Sequence, residues 1–253
     1  VRAAVPGCYV SLSSDVLPQI KEYERTCTTV VNAYVGPAVQ RYLERLETRL
    51  REAGFSGPLL IIQSHGGVAT VADAARLAAG AVLSGPAGGV AGSRHVARLI
   101  GHGDLIPFDM GGTSTDISLI ARGEAAISSD RKLAGQRVGL QSLDIVSIGA
   151  GGGSIARVDA GGVLHVGPES AGALPGPACY GLGGTVATVT DANLVLGYLD
   201  AANFLGGRAM LDTESAAQAV DRIAAVLGVD RMTAAEGILS FVNTRMAEGV
   251  RLV

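Results

Sequence analysis

Apolar positions along the chain recur with two periods, and the elements they predict alternate. From Pro37 to Ala53, residues Val39, Tyr42, Leu43, Leu46, Leu50 and Ala53 fall on one face of a helix. Pro37 suits a first turn and Gly54 a stop. Periodicity does not decide whether Thr26–Tyr34 extends that helix. Short apolar runs predict strands at Tyr9–Leu12, Leu59–Gln63, Leu105–Phe108, Ile117–Ile120, Glu124–Ser128 and Asp144–Ile148. Arg157–Val166 reads as a hairpin, and the strands from 105 to 128 read as a meander. Helices are expected in part of Asp15–Arg25, near Val71–Ala79, at Val90–Ile100 and at Leu194–Leu199, the last capped by Asp191. Two more are expected at Thr213–Leu227 and Thr233–Val250, each with one apolar face.

Glycine then changes the picture. The chain of 253 residues holds 36 glycines, well above the usual ~7%. They show no period and sit in short loops between apolar runs. The fullest case is Asp109-Met110-Gly111-Gly112-Thr113-Ser114-Thr115-Asp116, between two predicted strands. Glycines there let backbone N–H groups approach an anion, hydroxyls add donors, and Asp109 is placed to hold a metal or its waters. The same octet is also what an ordinary glycine hairpin looks like. A second loop, Gly149–Ser154, matches two glycines of a dinucleotide fingerprint but puts Ser154 at the third, and a hairpin rather than a long helix follows. A third, Ser84–Ser93, opens a helix. Gly85 and Gly88 there suit either an anion or close helix–sheet packing. Ser64-His65-Gly66-Gly67 follows a predicted strand at the carboxyl end, where α/β sheets place ligands. Pro168–Gly184 is a long Pro/Gly loop.

Composition narrows the class. With 48% hydrophobic and 17% charged residues the chain can build a core. A net charge of −3, with no basic run, disfavours nucleic acid as a partner. The three cysteines are too widely spaced for a disulfide framework or a zinc site, so a reduced, cytoplasmic setting fits. No apolar run reaches the ~18 residues of a membrane span. The start lacks Met, and the end stops inside a predicted helix, so the sequence reads as a piece excised from a longer chain. It is expected to form a single domain over 1–253, with sublobes 1–104 and 105–253.

Taken together, the motifs resemble the hydantoinase A / 5-oxoprolinase family, which includes N-methylhydantoinase A and the acetone carboxylase β-subunit type. The motifs that carry the resemblance are Glu22–Thr26 with Thr28–Tyr34, Gln63–Gly67, Leu83–Gly89, the octet, Ile148–Ala156, Gly167–Gly172, Pro175–Gly181 and Thr190–Asn193. His65 stands where that family often carries Asn, and Cys27 where it often carries Ser.

The resemblance implies an α/β fold of the actin, sugar-kinase and chaperone-ATPase type, with ribonuclease-H-like lobes, β-hairpins and flanking helices. It implies ATP and Mg²⁺ as cofactors and the octet as one of two phosphate hairpins. The implied activity is ATP-dependent opening of a cyclic amide, a hydantoin or 5-oxoproline, by carbonyl phosphorylation. The alternatives are a ketone carboxylase subunit or a non-catalytic nucleotide-binding module. Gly111, Gly112, Thr113 and Thr115 become cofactor-binding candidates with Gly85 and Gly88, and Asp109 the metal candidate. His65, Gly151, Gly152 and Gly153 are candidates for the substrate side, with Asp144 and Asp191 as candidate bases. The implied partner is a hydantoinase B-type subunit or domain.

Overall fold

The computed structural model describes every residue except Arg2, Asp130 and Ala134, with Arg131 described in its backbone only. In chain order the elements are α1 (Ser13–Val16), α2 (Glu22–Glu52), β1 (Leu60–Ile62), β2 (Val68–Thr70), α3 (Val71–Arg76), α4 (Ser84–Leu99), β3 (Phe108–Met110) and β4 (Thr115–Ile117). Next come β5 (Ile120–Ala121), β6 (Glu124–Ala125), β7 (Ile127–Ser128), β8 (Arg131–Leu133), β9 (Gln136–Val138), β10 (Ser142–Leu143) and β11 (Val146–Ile148). The last are β12 (Ser154–Val158), β13 (Leu164–Ser170), α5 (Val189–Val195), α6 (Thr213–Leu227) and α7 (Arg231–Arg251). Two compact units result. The first is residues 1–107 with 119–145, and the second 108–118 with 146–253. The cut expected at 104/105 does not match this division, because the chain gives 108–118 to the second unit and then returns.

In the first unit, α2 is one helix of 31 residues, so Thr26–Tyr34 extends it and Pro37 lies inside it. The missing N–H at Pro37 costs about 3 kcal/mol in a helix interior. Tertiary contacts offset that cost along one face. Thr28, Asn32 and Gly36, spaced four apart, are all buried. The Thr28 hydroxyl accepts from Gly139 N–H at 2.9 Å. The Asn32 amide donates to Ser11 Oγ, Tyr9 Oη and the Arg76 carbonyl, and its oxygen accepts from Ala79 N–H at 3.0 Å. Gly36 leaves room for the Tyr9 ring, which a Cβ there would overlap at 2.1 Å. Tyr9 therefore sits in a coil segment tied to α2 and α3, not in the strand expected at Tyr9–Leu12. A core of Ala87, Val90, Ile120, Leu143 and Ile145 joins α4 to the small strands.

β1 and β2 form an antiparallel hairpin, so Ser64–Gly67 is its turn rather than a loop at a sheet's carboxyl edge. The strands expected as a meander pair in chain order: β3 with β4, Leu105 with Ile120 by an antiparallel bridge, and β5 with β6. β5 and β6 form their own hairpin through Arg122 (φ 54°) and Gly123 (φ 81°), and β7 pairs with β10. β8 pairs with β9.

In the second unit, β3, β4 and β11 form an antiparallel sheet in the order β11–β4–β3, and β12 pairs with β13. α5, α6 and α7 pack around Ala156, Val166, Val189, Ala192, Val220, Ile238 and Val242. Each buried Val or Ile contributes about 1.5–3 kcal/mol. Asp212 and Asp230 cap α6 and α7, and α6 spans the residues its periodicity predicted. α7 runs close over the sheet at Gly249, where a Cβ would meet Ile117 Cδ1 at 2.8 Å. Among the described residues, no helix is long and apolar enough to cross a membrane.

Candidate functional site

The octet folds as the β3–β4 hairpin, paired through Met110 and Thr115 and closed by Gly111 N–H to the Ser114 carbonyl at 2.9 Å. Strand alternation sorts its side chains. Thr115 and Ile117 face the core and are buried. The Thr115 hydroxyl, expected among the ligand donors, instead donates to the Ala150 carbonyl. Asp109 and Asp116 are cross-strand partners, with Ser147 of β11 opposite Asp116, so two carboxylates and a hydroxyl share the other face. Asp116 was not singled out by sequence. The signal was there: in a hairpin closed at 110/115, residues 109 and 116 must face each other.

The tip, Gly111–Ser114, is exposed apart from a half-buried Ser114. The N–H groups of Gly112, Thr113 and Ser114 have no partner among the described residues. A Cβ at Gly112 would meet nothing within 4 Å. The tip is thus a loop with three unpaired donors and open space beside its glycine, which suits an anionic oxygen.

The second glycine loop supports the tip from behind. Gly152 N–H donates to the Gly111 carbonyl at 3.0 Å and Gly153 N–H to the Gly112 carbonyl at 2.6 Å. Gly151 N–H donates to Ser154 Oγ at 2.9 Å. A Cβ on Gly151 would lie 2.7 Å from Thr113 N and 2.8 Å from Gly111 O. On Gly153 it would lie 2.9 Å from both Gly112 O and Ser170 Oγ. These donors, expected to meet a substrate, are spent within the fold, those of Gly152 and Gly153 on the octet. The backbones touch, and glycine is required for that reason.

Asp191 is fully buried, and Thr188, not Asp191, is the N-cap of α5. The Asp191 carboxylate accepts from the N–H groups of Ala178, Cys179 and Thr188 and from the Thr188 hydroxyl, at 2.7–3.3 Å. A carboxylate so engaged is an anchor rather than a free base. It fixes the start of α5, from which Thr190 donates both N–H and hydroxyl to the Gly152 carbonyl at 2.8 Å. Burial, reinforced by the charge of Asp191, pushes the Cys179 thiol well above its ordinary range and keeps it protonated.

The remaining candidates lie in the first unit. His65 is exposed, and its Nδ1 accepts from Gly67 N–H at 3.2 Å, a local turn contact. Gly88 faces Ile62 of β1, 3.1 Å from a built Cβ, so packing explains it; Gly85 faces open space. Asp144 is exposed, and its N–H donates to the Ala126 carbonyl. Among the described residues, no group of three or more His, Cys, Asp or Glu is placed to hold a metal.

The family profile described as Hydantoinase/oxoprolinase matches residues 25–253. The chain belongs to this family. It is 45% identical to caprolactamase subunit alpha of Pseudomonas jessenii, over all of this chain and 36% of that protein. The crystal structure of the ATP-dependent caprolactamase from P. jessenii matches with a TM-score of 0.78 at 44% identity, over 99% of this chain and 36% of that one. A nucleotide-free acetone carboxylase, from a study of ATP-dependent acetone carboxylation, matches with a TM-score of 0.85 at 33% identity, over 94% of this chain and 34% of that one. The fold is therefore mixed α/β, of the actin-like ATPase type. The chain spans about a third of the length of these relatives.

Proposed function

We propose that this chain is the phosphate-binding part of an ATP-dependent enzyme that opens cyclic amides in the cytoplasm, within a longer subunit that works with a hydantoinase B-type partner. The observation that carries the reading is the tip at 111–114, with three unpaired N–H groups on a rigid backing. In this reading Gly112, Thr113 and Ser114 donate to phosphate oxygens, stabilising charge as the γ-phosphoryl group leaves ADP. Asp109, with Asp116 opposite, would hold Mg²⁺, which neutralises phosphate charge when bound. Gly111, Thr115, Gly151, Gly152, Gly153 and Asp191 keep the tip in shape.

The chemistry follows from the stability of an amide. Its carbonyl oxygen attacks the γ-phosphorus, and the bond to ADP breaks. The phosphorylated carbon is then electrophilic enough for water to add. The C–N bond breaks and the ring opens to an acyl phosphate, which a second water hydrolyses to the carboxylate and free phosphate.

A second reading, activation of a ketone and bicarbonate, is favoured by the TM-score of 0.85 to acetone carboxylase. The test is ADP release by the complete subunit with its partner, offered 5-oxoproline, hydantoin, ε-caprolactam, or acetone with bicarbonate. Cyclic amides are expected to drive turnover. Turnover driven only by acetone would select the second reading, and nucleotide binding without turnover on any of them would reduce the chain to a binding module.

A further inference from the structure

α2 has an outward face that nothing in the first unit covers. Its inward face is spent on Thr28, Asn32, Gly36 and Leu43, all buried. On the opposite side stand Val30 and Tyr34, with Tyr42 on the flank, each well exposed, Tyr34 at 85%. Arg41, Arg45 and Arg49 continue this side at four-residue steps, so their guanidinium groups lie in a row. None of the three forms an ion pair or side-chain hydrogen bond among the described residues. Glu44 and Glu47 line a different groove, where Glu47 lies 3.8 Å from Arg51. Arg41, Tyr42, Arg45 and Arg49 line an open groove of about 420 Å³ with Ala38 and Leu46.

An ordinary solvated helix face carries Glu and Lys. This one carries Tyr, Val and Arg, the residues that dominate the energetic centres of protein interfaces. Each arginine offers a planar fork of donors matched to a carboxylate. The chain as a whole carries −3, so its overall field repels a polyanion, whereas a few carboxylates set in an apolar surface fit the row.

We propose that the outward face of α2, from Val30 to Arg49, docks an acidic, partly apolar protein surface on the partner subunit. This rests on the two-component reading of the enzyme above. Tyr34 and Tyr42 supply buried area, and the three arginines supply carboxylate forks that fix register.

The test uses the complete subunit and its hydantoinase B-type partner, with Kd measured by biolayer interferometry at several salt concentrations. The wild type is expected to bind, more weakly as salt rises. The triple variant R41E/R45E/R49E is expected to raise Kd at least 100-fold and to remove most of the salt dependence. The neutral triple R41Q/R45Q/R49Q and Tyr34→Ala are each expected to raise it at least 10-fold, with the melting temperature of the unpartnered subunit unchanged. Unchanged Kd in both triples overturns the proposal, as does absence of wild-type binding. Tighter binding of a 20-nucleotide RNA than of the partner overturns it in favour of a nucleic-acid face. A fall in the melting temperature of the unpartnered subunit overturns it too, since the face would then be covered by the subunit's own chain. A salt-sensitive complex that releases no ADP with any substrate supports the face while sinking the enzymatic reading.

Discussion

Two glycine loops lie back to back in the second unit and use glycine for opposite reasons. At the tip, Gly112 has open space around it and an unpaired N–H. Behind it, Gly151 has no space at all, and the N–H groups of Gly151, Gly152 and Gly153 are all committed within the fold. A ligand loop keeps donors unspent, and a supporting loop spends them. The cost of leaving polar groups unpaired in an exposed tip is small because water satisfies them until a ligand arrives. Density of glycine does not separate the two cases; the partner of each N–H does.

The comparison breaks most sharply at the octet's first carboxylate. Asp109→Ala in the complete subunit is expected to lower substrate-dependent ADP release by more than about 10³-fold, with the melting temperature unchanged, since Asp109 is exposed and makes no side-chain hydrogen bond among the described residues. Turnover near the wild-type value would remove Asp109 from the site. Asp191→Ala is expected to destabilise the chain by about 4 kcal/mol in urea unfolding, because four donors lose their acceptor. A cost below about 1 kcal/mol would show that the carboxylate is not an anchor.

Gly151→Ala is expected to cost about 1–3 kcal/mol and to lower turnover, because the added methyl group forces the two loops apart. Gly112→Ala is expected to stay within about 0.5 kcal/mol of the wild type. Its turnover should nonetheless fall about 10-fold, as the methyl group meets the phosphate rather than the protein. If both alanine variants behave alike, in stability and in turnover, the distinction between the loops is wrong.

The smallest effect lies away from both loops. Asp159 accepts from His165, at 2.7 Å, and from Gly161 and Val163 N–H, and these bonds hold its carboxyl below the usual range. A depressed folded pKa contributes stability that is present above the unfolded value of about 3.9 and lost as the pH falls through the folded one. Amide protection factors at Gly161 and Val163 are therefore expected to fall only below about pH 4, while those at Gly152 and Gly153 stay high. Equal loss of protection at all four amides would mean that the loops and this hairpin open together.

Much of this was legible in the sequence. The octet hairpin, the β12–β13 hairpin and α6 follow from apolar runs, turn residues and helical period. Three readings failed for one reason: local signals lost to contacts distant in sequence. Pro37 reads as a helix start, yet contacts from Tyr9, Arg76 and Gly139 along one face hold α2 through it. Ser64–Gly67 reads as a turn at the carboxyl end of an α/β sheet strand, yet β2 pairs back on β1 and makes it the turn of a two-stranded hairpin. Thr115 reads as a loop donor, yet strand alternation turns its hydroxyl to Ala150.

The sequence by itself determined which stretches form helices and hairpins, and which family the motifs resemble, because periodicity and turn chemistry are properties of neighbouring residues. Only the tertiary structure decided what each glycine is for and whether each aspartate is free or engaged. Asp109 and Asp191 are the same residue type. One is exposed on a strand, and the other lies under four donors from Ala178, Cys179 and the N-cap residue Thr188. The Thr188 capping box is a local part of that difference, whereas the Ala178 and Cys179 N–H groups arrive from a loop more than ten residues away.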